Sequence, residues 1–286
     1  MCQLNEKCTC KSESDNVEMP TSIRRSQIDT YEMCPYYFYL EVIKGYEIPE
    51  TPYTMIGSDL HEIFDKYSWL KNDSKTFDNM MKDFNVYKEK YDIKMFKDEA
   101  QYRKLMERAN NSIKNFIDLH QEMPLPYKTE ERLYYDLGNG LPSISMAMDR
   151  VNKLEDGTYE VIDWKTGATL TGQKLAMTLQ VPTYILIIKE NYNIDISRFR
   201  LEYVGEGKSR IYNIDNVNSM IYHCNVKNNT YTVSLDDTIK RLQKIMRDIK
   251  RNDWNVKPTQ KEYNCKHLCY FFEKQCQGIT MRQWQQ

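Results

Sequence analysis

The sequence predicts an α/β fold, a mixed central sheet flanked by helices, with a helical insertion ahead of the sheet. Two observations predict it. Apolar residues recur with the 3.6-residue helical period up to about residue 121, and the period then switches to the two-residue alternation of strands near residue 131. A further helical stretch then separates the first group of strands from a second, as a crossover connection requires.

The bulk composition sets limits. With 286 residues, 41% of them apolar, the chain is long enough to bury a sizeable core. Lys+Arg is 40 and Asp+Glu 41, a net charge of −1, so any nucleic-acid surface must be local. No apolar run approaches the ~18 residues of a membrane span, and the first residues lack a signal-peptide core. A cytoplasmic protein without membrane contact is the expectation. Eight cysteines in a reducing compartment point to free, metal-bound or catalytic thiols rather than disulfides.

Residues 1–20 are polar and aperiodic and are expected to form a mobile tail, leaving 21–286 as one domain. From Ser22 to about Leu40 the pattern is helical, broken at Cys34–Pro35, because proline disfavours helical geometry in the residue before it. "GSDLHEIFDKYSWL" (57–70) reads as a helix with Leu60, Ile63, Phe64 and Tyr67 as its stripe and His61 beside it. Residues 77–121 are expected to be mostly helical, with Tyr102, Leu105, Met106, Ala109, Ile113, Phe116 and Ile117 on one face. The catalytic sheet is placed at about 128–215. "ERLYYDL" (131–137), "SISMAMDRV" (143–151) and "TYEVIDWK" (158–165) are its first strands, and two more lie near 198–204 and 209–214. The intervening helix, about 173–190, carries Gln180 and Tyr184 one turn apart, with Pro182 expected to kink it. A last helix at 235–251 and a cysteine cluster ending at Cys276 close the chain.

Strands place residues i and i+2 on one face, so Asp163 and Lys165 project together and Trp164 points away. Asp149 stands on the preceding strand. Two carboxylates on adjacent strands can converge on Mg²⁺ or Mn²⁺, which prefer oxygen ligands and leave room for a substrate phosphate. A nearby lysine can orient water or stabilise developing charge. The same residues also read as an ordinary surface ion pair.

The set "MAMDRV" (146–151), "VIDWKTG" (161–167) and "LQVPTY" (179–184) resembles motifs of the PD-(D/E)XK nuclease superfamily, in its RecB-like branch. "SIRRSQIDTYEMCPYYFYL" (22–40) resembles the branch's N-terminal element, and "IGSDLH" (56–61) its Gly-x-x-x-His helix. The order holds over roughly residues 22–276; Met146 stands where the family usually has glycine. The resemblance implies His61, Asp149 and Asp163 as metal ligands, joined by the backbone carbonyl of Trp164, with Lys165 as the catalytic lysine. It implies that Gln180 and Tyr184 contact DNA or support the site. His61 also reads as a satisfied histidine at a helix–core boundary.

Cys34, Cys265, Cys269 and Cys276 resemble the four-cysteine 4Fe–4S staple of AddB-type helicase-nucleases and CRISPR-associated adaptation nucleases. The spacing exceeds the commoner one by a residue in each gap and leaves a zinc site, with His267, open. Lys240, Lys244, Arg247 and Arg251 share one helix face that can meet phosphates or simply be solvated; Arg24 and Arg25 are a second such pair. The function implied is a metal-dependent DNA nuclease, an exonuclease on single-stranded ends in recombination, replication or CRISPR adaptation, working alone or with a helicase or other partner. The alternative is a nuclease-fold DNA-binding or assembly module in which catalysis is dispensable.

Overall fold

The computed structural model describes residues 19–167, 179–218, 220–226, 228–251, 269–271 and 274. In chain order its principal elements begin with β1 (Ser22–Arg24), α1 (Arg25–Met33), α2 (Pro35–Phe38), α3 (Pro52–Ser68), α4 (Phe77–Lys88) and α5 (Glu99–His120). There follow β2 (Lys128–Tyr135), β3 (Ser143–Lys153), β4 (Tyr159–Trp164), α6 (Gln180–Tyr192) and β5 (Ile196–Tyr203). β6 (Lys208–Asn218), β7 (Ile221–Val226), β8 (Asn229–Ser234) and α7 (Leu235–Lys250) complete the series. The chain divides into two compact units, Met1–Pro49 with Asp136–Ser145 and Lys240–Gln286, and Glu50–Tyr135 with Met146–Ile239. The anticipated tail falls almost wholly outside the described residues.

In the first unit, β1 runs parallel to the opening residues of β3, with Ile23 opposite Ile144. Residues 22–24 are therefore strand rather than the helix that the pattern suggests. Ile23 and Ile144 are both fully buried, and this tertiary pairing overrides local propensity. The break at Cys34–Pro35 is where the sequence places it. Cys34 is extended (φ −155°), ends α1 and caps α2, its Sγ accepting from the Tyr37 N–H at 3.3 Å, while Pro35 takes the first helical position. Arg241 of α7 donates to Glu32 Oε1 through Nη2 at 2.6 Å and Nε at 3.1 Å.

In the second unit, α3 starts behind a Thr51 cap with Pro52 at its first position, and α5 behind Asp98, which accepts from the Gln101 N–H at 2.7 Å. The expected α3 stripe, Leu60, Ile63, Phe64 and Tyr67, is buried; on α5, Leu105, Met106, Ala109, Ile113 and Phe116 are buried, while Tyr102 and Ile117 are half-buried against them. Residues 77–121 are mostly helical, as α4 and α5, parted by a segment with a tight turn at Ile93–Met95. Strands follow in the order β3–β4–β5–β6–β7–β8, with β2 also on β3. β4 and β5 are parallel, joined across α6; the β3–β4, β5–β6, β6–β7 and β7–β8 pairs are antiparallel.

Three expectations change. β7 and β8 were not anticipated; β8 (NTYTVS) is polar and buries Val233, and β7 (IYHCNV), which buries Tyr222 and Cys224 in alternation, is only six residues long and broken by His223 and Asn225. β2 begins at Lys128, three residues earlier than expected, and so includes Glu130. Pro182 does not kink α6. It lies in the first turn, where its missing N–H costs nothing, and the Thr183 N–H still reaches Leu179 O at 3.0 Å. The earlier part of that expected helix, residues 173–178, lies outside the described residues.

Candidate metal and catalytic site

Strands β3 and β4 set the site. Their antiparallel register pairs Arg150 with Ile162 and, continued by one residue, sets Asp149 opposite Asp163. The Trp164 backbone N–H donates to Asp149 Oδ2 at 2.6 Å, fixing that carboxyl against the β4 backbone. The other oxygen, Oδ1, lies 3.4 Å from His61 Nδ1. His61 comes from α3, which is held to β4 by stacked rings. Phe64 and Phe116 lie face to face at 4.4 Å, and Trp164 meets both edge-on at 5.7 Å and His61 at 5.8 Å. The two-residue period of β4 thus does two tasks: Trp164 anchors the helices, while Asp163 and Lys165 emerge together.

Glu130 joins this group from β2. Its Oε1 lies 3.9 Å from His61 Nδ1, and one ligand atom from each of His61, Glu130 and Asp149 falls within 4.8 Å of the others. Glu130 holds a left-handed backbone conformation (φ 44°), rare for a residue with a Cβ and typical of functional positions. Burial and the Asp149 carboxylate push its carboxyl up to about 7. Burial works against a charged His61, but the Asp149 carboxylate, with Asp163 and Glu130 behind it, outweighs that and raises the imidazole. Acids crowded at the cost of mutual repulsion, with one imidazole, form a donor set that suits a divalent cation.

Asp163 is buried, and burial raises its pKa against the pull of Lys165. Each of its oxygens is held. Lys165 Nζ lies 2.6 Å from Oδ2, while Tyr184 Oη donates to Oδ1 at 2.8 Å and Gln180 Nε2 at 3.2 Å. Gln180 and Tyr184 sit one turn apart on α6, so one helix face supplies both donors. The seven residues His61, Glu130, Asp149, Asp163, Lys165, Gln180 and Tyr184 therefore converge. Six of them are legible from the motifs. Glu130 escapes them because the strand pattern starts one residue after it; an acid on the strand pairing with the Asp149 strand is the signal that finds it.

Behind Trp164 lies a buried polar relay. His120 Nε2 is 2.6 Å from Glu202 Oε2, and Arg150 Nη1 is 3.5 Å from His120 Nδ1. Arg150 also donates to Asn152 Oδ1 at 2.7 Å, and Arg200 Nη2 to Glu160 Oε1 at 2.7 Å. Burial, aided by Arg150, lowers the pKa of His120 despite Glu202.

Of the four staple cysteines, Cys34 and Cys269 are described and half-buried, while Cys265 and Cys276, like His267, lie outside the described residues. Burial, with Glu41, Cys269 and Cys34 behind it, pushes the Tyr37 hydroxyl up to about 12, and the Tyr37 ring packs on Phe271 at 5.0 Å. Cys224 is buried in β7, and burial pushes its thiol up to about 12. Lys240, Lys244, Arg247 and Arg251 lie along α7 and just past its end. Arg25 is not a surface cation; it is buried and bound to Asp29 at 2.5 Å. Among the described residues no helix is long and apolar enough to cross a membrane.

A family model described as the PD-(D/E)XK nuclease superfamily matches residues 25–277. No curated protein matches the chain.

Proposed function

Since the chain belongs to the PD-(D/E)XK nuclease superfamily, we propose that it is a Mg²⁺- or Mn²⁺-dependent deoxyribonuclease of the RecB-like branch, acting as an exonuclease on single-stranded DNA ends. The observation that carries this is the meeting of His61, Glu130 and Asp149 with the Asp163–Lys165 pair at one end of β3 and β4. His61, Glu130, Asp149 and Asp163 would hold a divalent cation, with the Trp164 carbonyl as a further donor, and the cation would supply positive charge and acidify a water. The Lys165 ammonium, 2.6 Å from Asp163, orients the attacking water and meets charge building on the phosphate. Water adds to phosphorus, the bridging P–O bond breaks, and the departing sugar oxygen takes up a proton. Gln180 and Tyr184 act on the substrate only through Asp163, whose Oδ1 they keep in place.

The motif spacing of Cys34, Cys265, Cys269 and Cys276 is the ground for a metal staple, a 4Fe–4S cluster or zinc in its place. Cleavage in Mg²⁺ of single-stranded DNA labelled separately at its 5′ and 3′ ends tests the reading and gives the polarity. Stepwise release from one end is expected. Internal cuts in circular single strands would replace exonuclease by endonuclease, and no cleavage by wild type in either metal would leave only a binding module.

A further inference from the structure

A cleft opens beside Lys165, on the α3–α5 side of β4. It is an open cleft, about 270 Å³ with its solvent-filled mouth included, and its walls combine apolar Ile56, Leu60 and Leu105 with Gly57, Arg108 and Thr166. Two features mark it as a site. Arg108 Nε and Nη2 are buried and have no hydrogen-bond partner among the described residues. An unpaired buried guanidinium is costly, and a cation of that shape is suited to phosphate. The backbone is also cleared around it. A Cβ on Gly205 would lie 2.8 Å from Arg108 Nε and 3.2 Å from the Thr166 carbonyl oxygen, and a Cβ on Gly57 would lie 3.0 Å from Thr166 Oγ1. The turn carrying Gly205 is pinned to α5 one step along, where Asn115 Nδ2 donates to Val204 O at 2.6 Å. Two glycines thus keep a guanidinium and a hydroxyl open to one cleft.

The cleft's place gives its ligand. Gly57 precedes His61 by one helical turn on the same face of α3, a rise of about 6 Å. Thr166 directly follows Lys165. The cleft thus lies on the Trp164 side of β4, one residue along the chain from Lys165 and one helical turn from His61, within reach of a neighbouring phosphate of the strand whose scissile phosphate the site holds. Tyr53, 55% exposed, stands at the cleft with a ring face for a base. We propose that Arg108 and Thr166 form a second phosphate subsite, which holds the substrate strand one nucleotide from the bond to be cut; this rests on the nuclease reading above.

The test is binding without turnover. The full chain is titrated in chelator with inorganic phosphate, with dithymidine bearing a 5′-phosphate, and with the same dinucleotide bearing a 5′-hydroxyl, by calorimetry. Arg108→Gln should weaken the dinucleotides about tenfold or more, the worth of one charge-assisted hydrogen bond. Gly205→Ala, which pushes the guanidinium aside while keeping its charge, should weaken them as well. A loss confined to the 5′-phosphorylated form assigns the subsite to the terminal phosphate; an equal loss for both assigns it to an internal one. Tyr53→Ala should weaken the dinucleotides and spare inorganic phosphate. Arg108→Gln should melt no lower than wild type, since it removes an unpaired buried charge. Unchanged affinity in both Arg108→Gln and Gly205→Ala, or a less stable Arg108→Gln that binds as wild type does, makes Arg108 a packing residue and overturns the proposal. Because these readouts involve no cleavage, their failure leaves the His61–Lys165 site standing, and an inactive wild type would leave them measurable.

Discussion

Glu130 has the most strained backbone of the site residues, with φ at 44° and a carboxyl raised to about 7. A residue kept in that conformation, at a cost of order 1–3 kcal/mol, is held there by something other than local preference. Glu130→Gln should fold, lose its repulsion with Asp149, and bind Mn²⁺ roughly 10-fold or more weakly by calorimetry; equal affinity would remove Glu130 from the donor set. Asp149→Ala and Asp163→Ala should each lower cleavage by at least ~10²-fold while leaving the circular dichroism spectrum unchanged. Lys165→Ala should be as inactive yet still take up metal, since it offers no lone pair to a cation. Loss of uptake in that variant contradicts its role. Cys224, buried with its thiol pushed up to about 12, should resist iodoacetamide in the native state and react only after unfolding.

At the scale of elements, β4 is held between two environments: stacked rings on the Trp164 side, and the α6 donors around Asp163 on the other. The polar relay behind Trp164 makes that support pH-dependent. His120 has its folded pKa lowered, so as pH falls below the ordinary value of 6.5 the unfolded chain takes up a proton that the fold refuses. Its contribution to stability is therefore complete above that range and lost as pH drops through it. The difference in urea midpoint between about pH 7.5 and about pH 5.5 should shrink in His120→Gln, by roughly 1 kcal/mol once converted; an unchanged difference would place the titration elsewhere. The basic face of α7 makes a separate prediction. Replacing Lys244 and Arg247 should weaken DNA binding equally across sequences and lower the salt slope by about 1 for each phosphate the helix no longer neutralises. An unchanged slope returns that face to solvent.

At the scale of the molecule, the cysteines decide whether the chain carries a staple. Protein purified without oxygen should be brown, absorb near ~400 nm and hold about four irons per chain. Cys34→Ala should lower thermal stability before it lowers activity, because a site absent from the unfolded chain couples metal binding to folding. One zinc in a colourless protein would exchange the cluster for a zinc staple. Much of this was legible in the sequence. The change of period near residue 131 marked the α/β class with its mixed sheet, and the Asp163-x-Lys165 spacing marked which side chains emerge together. The rest depends on long-range pairing. β1 is a strand because Ile144 lies opposite Ile23, and β7 and β8 exist because neighbours supply their hydrogen bonds. Glu130 enters the site through a left-handed residue within β2 that no periodicity encodes, and Arg108 lies in space that Gly205 leaves open.

The β3–β4 hairpin has a consequence for the order of folding. Asp149 and Asp163 meet by closing one short turn, in which Gly157 takes φ +84°. His61 must close a far longer loop, at an entropic cost greater by roughly 1.5 kcal/mol. Hairpins close in about 1–10 μs, so the two like charges approach before the histidine and the helices that shield them arrive. The early hairpin is therefore repelled from within, and millimolar Mg²⁺ should speed refolding by neutralising it. Gly157→Ala, strained at that φ, should slow refolding while leaving the unfolding rate nearly unchanged.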